Sequence, residues 1–133
     1  MKLEHIGIAV SHLGMSNELF ARLLGRENYK TEKVDSEHVI TSFFKSGATK
    51  IELLESNDED NAIAKFIKKK GEGVHHLAFN VEDIHVEMKR LSDLGFELLN
   101  TEPKKGADNK LICFLHPKST NGVLIELCQD LKN

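Results

Sequence analysis

The sequence lacks the features of a membrane protein and of a disulfide-rich secreted domain. No apolar run approaches the roughly 20 residues that span a bilayer, and the first residues lack the basic-then-apolar layout of a signal peptide. The two cysteines, Cys113 and Cys128, both lie in apolar, strand-like runs. We therefore expect buried, reduced thiols in a cytoplasmic protein, and neither a disulfide nor a zinc knuckle.

The chain also has little net charge. A formal charge of −3 over 133 residues gives no reason to expect nucleic acid or an anionic membrane as a partner. The content of 40% hydrophobic and 29% charged residues is that of an ordinary globular protein. Either half alone would be too small to bury much core. We expect residues 1–133 to form one domain whose halves pack on each other.

What the sequence does contain is a repeat built on two histidine-bearing strands. Shifting the stretch 1–10 by 71 positions lays His5 on His76 and matches the residues that follow. In both copies bulky apolar residues alternate with the histidine and small or polar residues, so the two sets occupy opposite faces of a strand. The neighbouring His75 falls on the bulky face, which we expect a helix to cover. His76 is therefore the candidate site residue.

Each histidine strand opens a βαβββ pattern. The modules cover about 1–56 and 73–130, and a connecting helix covers about 58–70. The predicted module helices are 11–24 and 83–94, and the further strands are 29–35, 39–44, 49–55, 96–100, 111–115 and 123–128. Their inward-facing residues are predicted to include Leu13, Phe20, Leu23, Leu24, Ile84, Leu91 and Leu94. The sequence predicts an α+β fold in which the two βαβββ modules form a curved, eight-stranded, cleft-shaped sheet with helices outside.

The last strands of the modules also match, and each carries a central glutamate, Glu52 or Glu126. A carboxylate in the middle of such a strand is costly to bury unless it is paired or binds a cation. One such glutamate would most simply face solvent, but two at equivalent positions favour a shared site with the histidines. Two imidazoles and two carboxylates suit a divalent ion such as Co, Ni, Mn or Zn. The predicted ligands are His5, Glu52, His76 and Glu126.

These residues resemble the vicinal-oxygen-chelate superfamily, which includes glyoxalase I, extradiol dioxygenases and the methylmalonyl-CoA epimerase family. The stretches that resemble the epimerase family are 3–10, 49–54, 63–66, 71–76 and 114–127, which together span nearly the whole chain. The most discriminating piece is His116-Pro117-Lys118, because the ligand set alone occurs across the superfamily.

The resemblance implies an isomerase that interconverts (2R)- and (2S)-methylmalonyl-CoA with a metal ion, cobalt by resemblance, and no organic cofactor. A base removes the proton alpha to the thioester and an acid returns one to the opposite face. Glu126 would be both ligand and base. Thr41 lies where some members carry a second glutamate, so Glu52 or a metal-bound water would have to serve the other face.

The resemblance further implies an acyl-CoA substrate and a homodimer. The phosphates of CoA are expected to contact Lys104, Lys105 and Lys118. Two other functions stay open: a glyoxalase I-like enzyme acting on a glutathione hemithioacetal, and a non-catalytic small-molecule-binding protein. The His/Glu set argues against the second, and the His-Pro-Lys segment argues against the first by resemblance. The sequence leaves open whether the modules pair within one chain or swap across a dimer.

Overall fold

The computed structural model describes residues 1–131, in which eight strands and three α-helices follow the predicted order. The elements of the first half are β1 (Lys2–Ala9), α1 (Leu13–Leu24), β2 (Lys30–Val34), β3 (Val39–Ser46), β4 (Thr49–Ser56) and α2 (Ala62–Lys70). Those of the second half are β5 (Gly73–Asn80), α3 (Ile84–Asp93), β6 (Lys104–Lys105), β7 (Lys110–Leu115) and β8 (Ile125–Asp130). The predicted α+β class and the two βαβββ modules are confirmed. None of the described helices is long and apolar enough to cross a membrane.

The chain packs as two compact units, each with its own part of the strand pairing. The first unit is His5–His75, and the second combines Met1–Glu4 with the chain from His76 onward. In the first unit the strand order is β2-β3-β4-β1, and β1 runs parallel to β4. In the second unit the order is β5-β8-β7-β6, and β5 runs parallel to β8. The same pairing pattern therefore occurs twice.

In each unit the module helix covers one face of the strands. In the first unit Leu13 of α1 is buried with strand residues, and Phe20 and Leu24 pack against them. In the second unit α3 contributes Ile84, Met88 and Leu91, packed on Cys113, Leu115 and Leu127. Gly25, with a φ of 72°, ends α1 in the left-handed conformation that glycine adopts without strain, as predicted.

Two of the predicted inward residues are wrong, and they are equivalent in the repeat. Leu23 is 70% exposed and Leu94 is 64% exposed. Each lies ten positions after the first buried residue of its helix, Leu13 or Ile84. At about 100° per residue, a separation of ten positions leaves Leu23 and Leu94 about 80° around the helix from that buried residue, at the edge of the apolar stripe. In α3 the buried residue that the prediction missed is Met88.

The strand predicted at 96–100 is also wrong. Within this segment the backbone makes an isolated bridge between Leu98 and Leu115, and the side chain of Asn100 accepts a hydrogen bond from the Phe114 amide. Because the Phe114 amide donates to this side chain, it cannot donate to the backbone of a longer strand. The short strand β6 pairs with β7 instead. The connecting helix begins at Ala62 instead of Asp58, because the Asn61 side chain accepts from the Ala64 amide and caps it.

Candidate metal centre

The first histidine–glutamate pair lies on the face of the first unit's strands that is opposite α1. In the parallel β1–β4 ladder Gly7 is opposite Glu52, so His5 and Glu52 project to the same face. Ile8 and Leu53 project to the other face, where they pack with α1. His5 Nδ1 lies 3.0 Å from Glu52 Oε2. Gly7 has no side chain to fill the space beside the pair.

The second pair repeats this arrangement in the second unit. Ala78 of β5 is opposite Glu126 of β8, which places His76 and Glu126 on one face. His76 Nε2 lies 3.5 Å from Glu126 Oε1. The edge of the His76 ring contacts Phe114, with the ring centroids 6.0 Å apart and the planes at 88°. Small Ala78 occupies the place that Gly7 has in the first pair.

All four of these side chains are buried, with at most 6% of any residue exposed. A buried carboxylate needs a hydrogen-bond donor or a cation beside it, and in each pair an imidazole nitrogen lies next to the carboxylate. Imidazole nitrogen and carboxylate oxygen are also the ligands of borderline divalent metals. Two donor atoms about 2.1 Å from one ion lie roughly 3.0 to 3.5 Å apart. Both pairs have this separation, so each fits two coordination positions of a metal ion.

The adjacent His75 lies on the opposite face of β5, as predicted, and packs against α2. Its ring meets the Phe66 ring edge-on, with centroids 5.1 Å apart and planes at 82°. Burial, together with the nearby positive charge of Lys70, lowers the pKa of His75 to about 4. His75 is therefore a neutral packing residue near pH 7.

Of the lysines expected to contact CoA phosphates, Lys104 and Lys105 form the exposed short strand β6. The third, Lys118, is already paired, since its Nζ lies 3.1 Å from Glu97 Oε2. The His116 side chain accepts a hydrogen bond from the Lys118 amide and caps the short 3-10 turn that follows. In this structure the His-Pro-Lys segment therefore shapes the entry to β8.

Thr41 lies on the same face as Glu52. It is opposite Leu54 in the β3–β4 ladder, two positions from the Phe43–Glu52 pair. Thr41 is fully buried, and its hydroxyl has no hydrogen-bond partner among the residues that the structure describes. A threonine hydroxyl cannot act as a carboxylate base.

Sequence reasoning missed one buried cation, Lys110 of β7. Its Nζ forms an ion pair with Asp130 and lies 3.8 Å from Glu4 Oε2. Lys110 shares a strand face with Phe114, which is opposite Glu126. The sequence gives one indication of this position. Lys110 and Phe114 are an even number of residues apart, so in a strand their side chains lie on the same face, which is the face of Glu126.

The fold and the two His/Glu pairs can be compared with those of known protein families. Residues 4–114 match the Glyoxalase/Bleomycin resistance protein/Dioxygenase superfamily, and the chain belongs to this superfamily. The resemblance seen in the sequence is thereby confirmed.

Two relatives and one solved structure show which members of this superfamily the chain resembles. The chain is 38% identical over 128 residues to the uncharacterized protein YqjC of Bacillus subtilis, covering 96% of this chain and 91% of that protein. It is 38% identical over 130 residues to the ethylmalonyl-CoA/methylmalonyl-CoA epimerase of Cereibacter sphaeroides, covering 96% and 97%. Among solved structures, a variant of Streptomyces coelicolor methylmalonyl-CoA epimerase in complex with 2-nitronate-propionyl-CoA has a TM-score of 0.94 and 36% identity, covering 99% of each chain.

Proposed function

We propose that this chain is a metal-dependent isomerase that interconverts (2R)- and (2S)-methylmalonyl-CoA. The observation that carries the proposal is the pair of buried His/Glu sets, His5 with Glu52 and His76 with Glu126. They occur in a chain that is similar over nearly its full length to proteins named as epimerases of this substrate.

In this proposal His5, Glu52, His76 and Glu126 together hold one divalent ion. The support is the donor set, the repeat equivalence of the two pairs and the spacing of the donor atoms within each pair. Cobalt is the metal that the family resemblance favours, and nickel, manganese and zinc suit the same ligands. When bound, the ion would act as a Lewis acid toward the substrate oxygens and would orient them.

The protein's own contribution is to move a proton at C2 of the acyl group. Glu126 accepts the C2 proton as the C–H bond breaks, and the electron pair passes into the thioester as an enolate. A C–H bond then forms on the opposite face with a proton delivered by a second group. Thr41 has no carboxyl group to deliver that proton, so we assign the second role to Glu52, which donates it as the protonated carboxylic acid and becomes a carboxylate. Glu126 keeps the proton taken from C2, and proton exchange with solvent restores both side chains. Nothing is oxidised or reduced over the cycle.

Two assays on one preparation test this proposal. The purified protein is loaded in turn with Co, Ni, Mn and Zn, and its metal content is measured by elemental analysis. Each form is then assayed with (2R)-methylmalonyl-CoA and with a glutathione hemithioacetal. We expect about one metal ion per chain and activity on the acyl-CoA alone. Activity on the hemithioacetal alone would replace the proposal with a glyoxalase I-like reaction, and inactivity of every loaded form on both would favour a binding protein.

We further propose that the protein acts in the cytoplasm as a homodimer. Cys113 and Cys128 are both free and buried, as expected of a protein from a reducing compartment. Burial also raises the pKa of the Cys113 thiol, which keeps it protonated and unreactive. The exposed apolar residues Met15, Leu19 and Leu23 of α1 offer a surface for self-association. Sedimentation analysis checks the oligomeric state.

A further inference from the structure

The strand face that carries His5 and Glu52 continues into a group of lysines. Lys50 is opposite His5 in the β1–β4 ladder, and Lys45 is opposite Lys50 in the β3–β4 ladder. Residues directly opposite in a ladder project to the same face, so both lysines share the face of the first His/Glu pair. Lys45 is exposed and Lys50 is half-buried.

Two aromatic rings contact Lys45 and one further lysine, Lys30, beside this face. Phe43 is opposite Glu52 in one ladder and opposite Lys30 in the other. Lys30 Nζ lies 4.6 Å from the centroid of the buried Phe43 ring, and Lys45 Nζ lies 5.1 Å from the centroid of Tyr29. The Tyr29 and Phe43 rings are 6.0 Å apart, and Tyr29 is 41% exposed. The rings fix the position of both ammonium groups by cation–π attraction.

Glu32 partly offsets the charge of Lys30. Glu32 is opposite Thr41 on the same face, and its Oε1 lies 3.5 Å from Lys30 Nζ. Both partners of this ion pair are about a third exposed, so the pair is weak and can yield to a stronger anion. Lys45 adds a further positive charge at an exposed position.

We propose that Tyr29, Lys30, Lys45 and Lys50, here called the lysine–aromatic patch, bind the nucleotide end of the acyl-CoA substrate. The inference rests on the proposed function and names the part of the site that holds the substrate's tail. Ammonium groups match the phosphates, and the exposed tyrosine ring matches the adenine, since bases stack on aromatic side chains. The patch is continuous with the face of His5 and Glu52. It is an alternative to Lys104, Lys105 and Lys118, the phosphate contacts expected from the sequence.

The test compares methylmalonyl-CoA with methylmalonyl-pantetheine, which has the same thioester and lacks the phosphorylated nucleotide. In the double variant Lys30→Gln/Lys45→Gln we expect KM for the CoA thioester to rise roughly tenfold, with little change in kcat. KM for the pantetheine thioester should change much less. Lys33→Gln is the matched control, because Lys33 lies on β2 at an exposed position of the opposite face and is 3.9 Å from Asp35. It should leave both KM values unchanged.

An equal change in KM for both thioesters, or no change for either, would overturn the assignment. So would a selective rise in the double variant Lys104→Gln/Lys105→Gln that is missing from Lys30→Gln/Lys45→Gln. Thermal unfolding of each variant checks that it is folded. The single variant Lys45→Gln changes only an exposed position, so it tests the patch with little effect on folding.

Calorimetric titration with coenzyme A needs no turnover and separates this proposal from the proposed function. Binding that is tight in wild type and at least tenfold weaker in the double variant supports the patch even if the protein has no epimerase activity. Binding that is equal in both proteins refutes the patch even if the epimerase activity is present.

Discussion

His75 should make the stability of this protein depend on pH between about 6.5 and 4. In the unfolded chain its imidazole binds a proton near pH 6.5, whereas in the folded chain burial against α2 lowers the pKa to about 4. Between these values the unfolded state binds more protons, so the free energy of unfolding falls as the pH falls. For this shift the loss from His75 alone is about 2 kcal/mol on going from pH 8 to pH 5.

The variant His75→Phe keeps a ring beside Phe66 and removes the titrating group. Urea unfolding of the metal-free protein at pH 8 and pH 5 measures the effect, and the wild type should lose about 2 kcal/mol more than the variant. His85→Gln is the control, since His85 is exposed on α3, and it should behave as wild type does. The same pH dependence in wild type and His75→Phe would refute the placement of His75 under α2.

Two further pairs of variants test the site and the core. His76→Ala should lose the metal ion, as measured by elemental analysis, because a ligand imidazole is removed; His75→Ala should keep it. The opposite result would mean that the register of β5 is shifted by one residue. Leu91→Ala should lower the free energy of unfolding by about 2 to 4 kcal/mol, since Leu91 is buried in the α3 core, whereas Leu94→Ala should change it by less than about 0.5 kcal/mol. Equal losses in urea unfolding would contradict the exposure of Leu94.

The two modules could be predicted because the sequence repeats. Bulky apolar residues alternate with a histidine and small residues in both copies, and this alternation shows which residues share a strand face. The separation of His75 from His76 followed from strand geometry alone, and the contact with Phe66 agrees with it. The predicted end of the first helix at residue 24 agrees with Gly25, which follows it at a positive φ.

The failures have specific causes. Leu23 and Leu94 were placed inside because they are apolar, although helical geometry turns them out. The segment 96–100 has the composition of a strand, but the Asn100 side chain takes the Phe114 amide.

The lysine–aromatic patch is not evident from the local sequence. Lys104 and Lys105 stood out in the sequence because they lie beside each other. Lys30, Lys45 and Lys50 are separated along the chain, and only the ladder register brings them to one strand face with Glu52. A long-range pairing of this kind is not visible in local sequence pattern.

The central claim is that Glu126 removes the C2 proton and that Glu52 serves the opposite face. Deuterium incorporation at C2 of methylmalonyl-CoA during turnover in deuterated water, followed by mass spectrometry and by separation of the epimers, tests both parts. Glu126→Gln should lower incorporation by roughly 100-fold or more, because an amide oxygen can still bind a metal but cannot accept the proton. Glu52→Gln should still place deuterium in one epimer while failing to interconvert the two. Full incorporation in Glu126→Gln would contradict the account and leave a metal-bound water as the base.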